Sequence, residues 1–186
     1  MVTPTASAVA PSGQRRLHIG GQVRKPGWEV LNVLPGEHVD HLGDARDLSR
    51  FAAGTFTEIY ASHILEHFDF RDALPAVLVE WHRVLVPGGQ LRLSVPDLDI
   101  LCALFGAKRL DLDDRFLVMN MIFGGHLDQY DFHLVGLADD ILSGYLANAG
   151  FVSRERVPGF GLFDDMSNIH VKGIPISLNV IAYKGR

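Results

Sequence analysis

A single cysteine, Cys102, stands in a chain of 186 residues, so no intrachain disulfide can form. A reducing compartment, the cytoplasm, is the expected home. Positive charge is also short. Lys and Arg number 17 against 22 Asp and Glu, a formal net charge of −5, and the arginines are scattered rather than gathered into a stripe. That distribution argues against a nucleic-acid partner, whose binding depends on clustered cations neutralising phosphate. No apolar run approaches the roughly 20 residues of a membrane span, so no membrane partner is expected. No internal repeat is visible, which argues against a solenoid. The first fourteen residues, MVTPTASAVAPSGQ, contain no arginine and no apolar block long enough for a secretory signal. They read as a flexible tail, 1–14, ahead of a single domain over 15–186.

What is present is an ordinary globular composition, 47% hydrophobic and 21% charged, over a length that buries a substantial core. Short apolar runs at 17–19, 30–33 and 39–42 stop at Gly20-Gly21, Pro35-Gly36 and Gly43, and read as strands. Residues 56–61 read as a longer strand. Leu74, Val77, Leu78, Trp81, Val84 and Leu85 then share one stripe of a 3.6-residue period, which predicts a helix. Asp72 is the expected N-cap and Pro87-Gly88-Gly89 the expected stop. Residues 90–95 alternate as a strand, and 97–105 and 113–123 read as helices. Residues 124–136 read as a polar loop, and 138–149 as a helix stopped by Gly150 and Phe151. Two late strands, 152–157 and 176–183, with no helix between them, predict an antiparallel pair. The alternation predicts an α/β architecture with a largely parallel sheet. Ligands of such sheets sit outside the carboxyl ends of the strands, which singles out the residues just after each one.

One of those positions carries His63-Ile64-Leu65-Glu66-His67, the H-x-x-E-H spacing of inverted zinc proteases. Zinc catalysis needs both histidines on one helical face and a third ligand. Here His63 comes directly off a strand, and neither Glu80 nor Glu155 lies in a motif that would make it that ligand. A zinc hydrolase through His63 and His67 is therefore the third reading, and no metal is expected.

The same hexapeptide fits other chemistry. Ile59-Tyr60-Ala61-Ser62-His63-Ile64-Leu65-Glu66-His67, followed by Arg83-Val84-Leu85-Val86-Pro87-Gly88-Gly89 and the strand QLRLSVPD, resembles class I S-adenosylmethionine-dependent methyltransferases. The similarity is to the type 11 group and runs from Arg16 onward. It implies a Rossmann-like fold, a seven-stranded mostly parallel sheet with an antiparallel last strand, and S-adenosylmethionine as cofactor. By the same resemblance, Gly20, Gly21 and Gln22 stand at the methionine end of the cofactor, with Gln22 where a glycine is usual. Asn32 stands where a carboxylate usually holds the ribose, and Asp44, Ala45 and Arg46 match the adenine-side pattern. Ser62 and His63 stand at the mouth of the cofactor site.

For the acceptor, residues 124–133 concentrate two histidines, two aspartates and a tyrosine. Such a loop can bind a metal, supply a base or hydrogen-bond a polar acceptor, and its bland alternative is a loop whose histidines cap neighbouring elements. The D-x-x-D-x-H spacing fits no closed metal site. His63, Asp131 and His133 are the expected catalytic residues. The expected reaction is methyl transfer to a hydroxyl or amine of a small-molecule or glycan-like acceptor. The second reading, motivated by Gln22 and Asn32, is an inactive methyltransferase-fold scaffold. Residues 160–175 are left either lining a pocket or forming a homodimer surface.

Overall fold

The computed structural model describes residues 14–107 and 110–186, so the expected tail lies outside the described residues except for Gln14. The described residues form nine strands: β1 (Arg16–Ile19), β2 (Glu29–Asn32), β3 (His41–Leu42), β4 (Phe56–Ser62), β5 (Leu85–Pro96), β6 (Phe151–Val157), β7 (His170–Val171), β8 (Ile174–Pro175) and β9 (Ser177–Lys184). Four α-helices join them: α1 (Ala73–Val84), α2 (Leu98–Gly106), α3 (Leu112–Phe123) and α4 (Asp139–Asn148). Seven strands make one sheet in the order β3-β2-β1-β4-β5-β9-β6, and β7 and β8 form a separate small ladder. Pairing from β3 through β5 is parallel, and β9 is antiparallel to both its neighbours. The antiparallel last strand is as the sequence predicts.

Side-chain alternation explains how the sheet is covered. Leu17 and Ile19 of β1, with Ile59 and Ala61 of β4, join the main core beneath α1 and α4. His18 and Tyr60 face the opposite side, where both pack on Phe163 and Tyr60 also meets Trp28 and Phe160 edge-on. Residues 20–28, 33–40 and 43–55 form no α-helix. Parallel strands usually need a crossover of a dozen or more residues, most often helical. The first three connections here are shorter or irregular, and aromatic side chains cover part of the face that a helix would otherwise cover.

Two local expectations are corrected. α1 ends at Val84, and Leu85 already pairs with Phe56, so Pro87-Gly88-Gly89 lies inside β5 at a register shift rather than ending the helix. Asp72 makes no side-chain cap. Asp69 instead accepts from the Arg71 N–H (2.9 Å) and its carbonyl from Leu74 (2.9 Å). At the other end of the chain α4 stops as expected: Gly150 has φ 100°, a left-handed conformation, and a Cβ there would sit 3.2 Å from the His82 ring. The irregular segment 43–55 is tied to α1, because Trp81 Nε1 donates to the Ala45 carbonyl and Arg83 to those of Leu48 and Phe51.

Candidate active site

The carboxyl ends of β1 to β4 open into one cavity of about 710 Å³. That is within the range of sites that enclose a small organic ligand. Of the residues expected to hold the cofactor, Gly20, Gln22, Asn32, Asp44, Ala45, Arg46, Ser62 and His63 all line it. Gly21 does not. It is buried behind the wall, where a Cβ would meet the His18 ring at 2.7 Å.

Each of these residues is positioned by the local chain. Gly20 has φ 75°, and a Cβ on it would lie 2.2 Å from Ile64 Cδ1, so only glycine makes this turn at this closeness. Its N–H donates to the Leu31 carbonyl (2.8 Å) and ties the end of β1 to β2. Asn32 is buried, and its amide already has partners: Nδ2 donates to the Gly21 carbonyl (3.0 Å) and Oδ1 accepts from the Leu34 N–H (2.9 Å). Asp44 accepts from both the main chain and the guanidinium of Arg46, at 2.6–3.0 Å. Those bonds, the side-chain ones foremost, hold its carboxyl below the usual carboxylate range. Ser62 is different, since its hydroxyl is buried at the cavity wall with no protein partner.

His63 follows β4 with φ 53°, an uncommon conformation for a residue with a side chain, and its N–H donates to Ser94 (2.9 Å). The ring lies between Ser177 Oγ, 3.0 Å from Nε2, and Glu66 Oε1, 3.3 Å from Nδ1. Glu66 is 1% exposed. Burial, the largest influence, pushes its carboxyl up, but His63, His67 and His133 together outweigh burial and hold it below the usual range.

The other two expected catalytic residues do not line the cavity. The Asp131 carboxylate closes its own loop by accepting from the Leu127 N–H (3.1 Å), and its carbonyl accepts from His126 (3.0 Å). His133 lies behind the wall beside His67, with ring centroids 4.9 Å apart. Burial, foremost, lowers its pKa. Their neighbours Gln129, Tyr130, Phe132 and Leu134 do reach the cavity, and so do Phe163, Asp164, Asp165 and Met166. Three of these last four come from the FGLFDD segment and Met166 follows it, so this part of 160–175 lines the pocket. Tyr60 Oη donates to Asp165 (2.7 Å) and anchors the segment over the sheet. Nothing in the sequence pairs Tyr60 with Asp165. Only the density of Phe and Asp in FGLFDD marked that segment as a candidate.

The chain is similar to known proteins in part of its sequence and in its fold. Residues 29–93 match the family model described as a methyltransferase domain. Among solved structures, a S-adenosylmethionine-dependent methyltransferase from Archaeoglobus fulgidus is 14% identical, with a TM-score of 0.58 over 92% of this chain and 87% of that one. The 1,6-didemethyltoxoflavin-N1-methyltransferase of Burkholderia thailandensis, solved with bound 1,6-didemethyltoxoflavin and S-adenosylhomocysteine, is 16% identical, with a TM-score of 0.56 over 93% of this chain and 72% of that one. The CurJ carbon methyltransferase is 16% identical, with a TM-score of 0.55 over 96% of this chain and 50% of that one, so the chain spans half of its length. No curated protein matches in sequence. The fold is that of the class I S-adenosylmethionine-dependent methyltransferases.

Proposed function

We propose that the chain is a S-adenosylmethionine-dependent methyltransferase acting on a hydroxyl or amine of a small-molecule or glycan-like acceptor. The observation that carries this reading is the convergence of Gly20, Asn32, Asp44, Ser62 and His63, from four strand ends, on one cavity. The wall fits the cofactor at three points. The Gly20 turn, at φ 75°, has no Cβ to collide with Ile64, Ser62 has a buried hydroxyl without a protein partner beside the cavity, and Asp44 brings a carboxylate near the third strand. Bound there, S-adenosylmethionine supplies a methyl group already activated on a sulfonium.

The chain's own work is to orient, to exclude water and to take a proton. Phe132, Leu134 and Phe163 supply apolar walls, while Gln129, Tyr130 and Asp164 give polar contacts of the kind a sugar or amine uses. His63 is assigned the acceptor's proton. Ser177 Oγ donates to the Met166 carbonyl (2.8 Å), so Nε2 here donates to Ser177; to take the proton the ring must move its hydrogen to Nδ1, which faces Glu66, and exchange the Ser177 bond for one to the acceptor. Asp131 and His133 act through the loop, which they hold in shape.

The test is incubation with methyl-labelled S-adenosylmethionine and a panel of sugar and amine acceptors. Transfer that falls strongly in His63→Ala while cofactor affinity is kept supports the reading. No transfer to any acceptor, with the cofactor bound, would favour the scaffold alternative. One observation speaks for that alternative: the Asn32 amide is committed to Gly21 and Leu34, so ribose recognition rests on groups that already have partners.

A further inference from the structure

Behind the cavity wall Glu66, His67 and His133 point donor atoms at one another, all within 4.8 Å. The sequence alone pairs His63 with His67 through the H-x-x-E-H spacing, and the fold selects a different set. The loop carrying His133 folds back onto the Glu66 turn, with the Leu134 N–H donating to the Glu66 carbonyl (2.7 Å).

Three features are those of an ion site. The Glu66 carboxylate is buried and faces His63 Nδ1 at 3.3 Å from Oε1, but among the described residues neither oxygen accepts a well-formed hydrogen bond. Buried charges are normally paired, hydrogen-bonded or bound to metal. His67 Nδ1 contacts the Phe132 carbonyl at 3.1 Å, and His133 Nδ1 contacts that of Met121 at 3.1 Å. A carbonyl only accepts, so each Nδ1 carries the hydrogen and each Nε2 is left with a lone pair. This is the tautomer that partners behind metal-binding histidines enforce. Two imidazoles and one carboxylate also match the donor set of first-row divalent ions that keep open positions.

We propose that Glu66, His67 and His133 bind one divalent first-row metal ion. Bonds of about 2.1 Å bring donor atoms to roughly 3.4 Å from one another in a tetrahedral site, so the cluster would contract from its present separations of up to 4.8 Å. Of the three, His67 also lines the main cavity, so the site adjoins the space assigned to the acceptor. An acceptor hydroxyl held there as a ligand would lose its proton more readily, the proton passing to His63. That role rests on the methyl-transfer reading, whereas the ion site itself does not.

The test is titration of the chelator-treated full chain with Co²⁺, without S-adenosylmethionine, read by visible absorption. The expected result is one Co²⁺ per chain, displaced by Zn²⁺. Glu66→Gln and His133→Ala should each lose more affinity than the roughly 10–100-fold typical of partners behind the ligands, and the distant His170→Ala should lose none. Thermal unfolding in parallel gives a second reading: metal raises the midpoint of the wild type and leaves that of Glu66→Gln in place. No uptake by the wild type, or equal uptake by wild type, Glu66→Gln and His133→Ala, overturns the site. Because no cofactor is present, failure of the methyl-transfer reading does not alter either outcome.

Discussion

The side-chain amide of Asn32 donates to Gly21 and accepts from Leu34, so it joins the ends of β1 and β2 before any ligand arrives. Asn32→Asp would restore the carboxylate usual at this position in the methyltransferases the chain resembles, but would set it against the Gly21 carbonyl. The expected loss is about 1–3 kcal/mol in urea unfolding, with no gain in cofactor affinity; tighter cofactor binding would contradict it. His18 gives a pH signature. Buried among Tyr60 and Phe163, it is pushed down to about 4, chiefly by burial and partly opposed by Asp165. The unfolded chain, titrating near 6.5, binds more protons between those values, so stability is full above pH 6.5 and falls as pH drops toward 4. The expected loss is about 3 kcal/mol. In His18→Phe that contribution disappears, and an unchanged difference between pH 7 and pH 4 would refute the assignment. At this scale the strand-end positions were legible, because a glycine stop marks where a side chain or backbone can meet a ligand. The direction of a side chain was not: Gly21 lies behind the wall, and Asp131 is spent on its own loop.

Among the elements, the segment around Phe163 replaces a missing helix, and a tyrosine holds it. Tyr60 is fully buried, and burial, foremost, raises its hydroxyl pKa well above the ordinary value, so it stays a neutral donor to Asp165. Tyr60→Phe removes that donor and leaves the Asp165 carboxylate with fewer partners. A cost of about 1–3 kcal/mol is expected, with faster amide exchange confined to residues 160–168; exchange unchanged there would show that the segment is held by packing alone. The stripe from Leu74 to Val84 made α1 readable, and the Gly150 stop made α4 readable, since both signals are local. The end of α1 was misjudged because a Pro-Gly-Gly run punctuates a strand bulge as well as it stops a helix. The pairing of Glu66 with Leu134 was beyond reach for a different reason: it joins residues far apart in sequence through main-chain atoms, which carry no residue-specific signal.

For the molecule as a whole, the seven-stranded, mostly parallel sheet and its antiparallel last strand could be anticipated from the alternation of elements and from the family resemblance. Among the described residues no helix is long and apolar enough to cross a membrane. A ligand that binds the folded chain alone stabilises it by RT ln(1 + [L]/Kd), about 2.7 kcal/mol at a hundredfold excess over Kd. The thermal midpoint should therefore rise with S-adenosylhomocysteine in the wild type and not in Gly20→Val, whose side chain would fill the turn beside Ile64. The most direct measurement is calorimetric titration of the wild type, Gly20→Val and Asp44→Ala with S-adenosylmethionine and S-adenosylhomocysteine. The account predicts one site per chain of micromolar affinity, abolished by Gly20→Val and weakened by Asp44→Ala. Absence of binding by the wild type at millimolar ligand, or equal binding by all three proteins, would contradict a cofactor site at the strand ends.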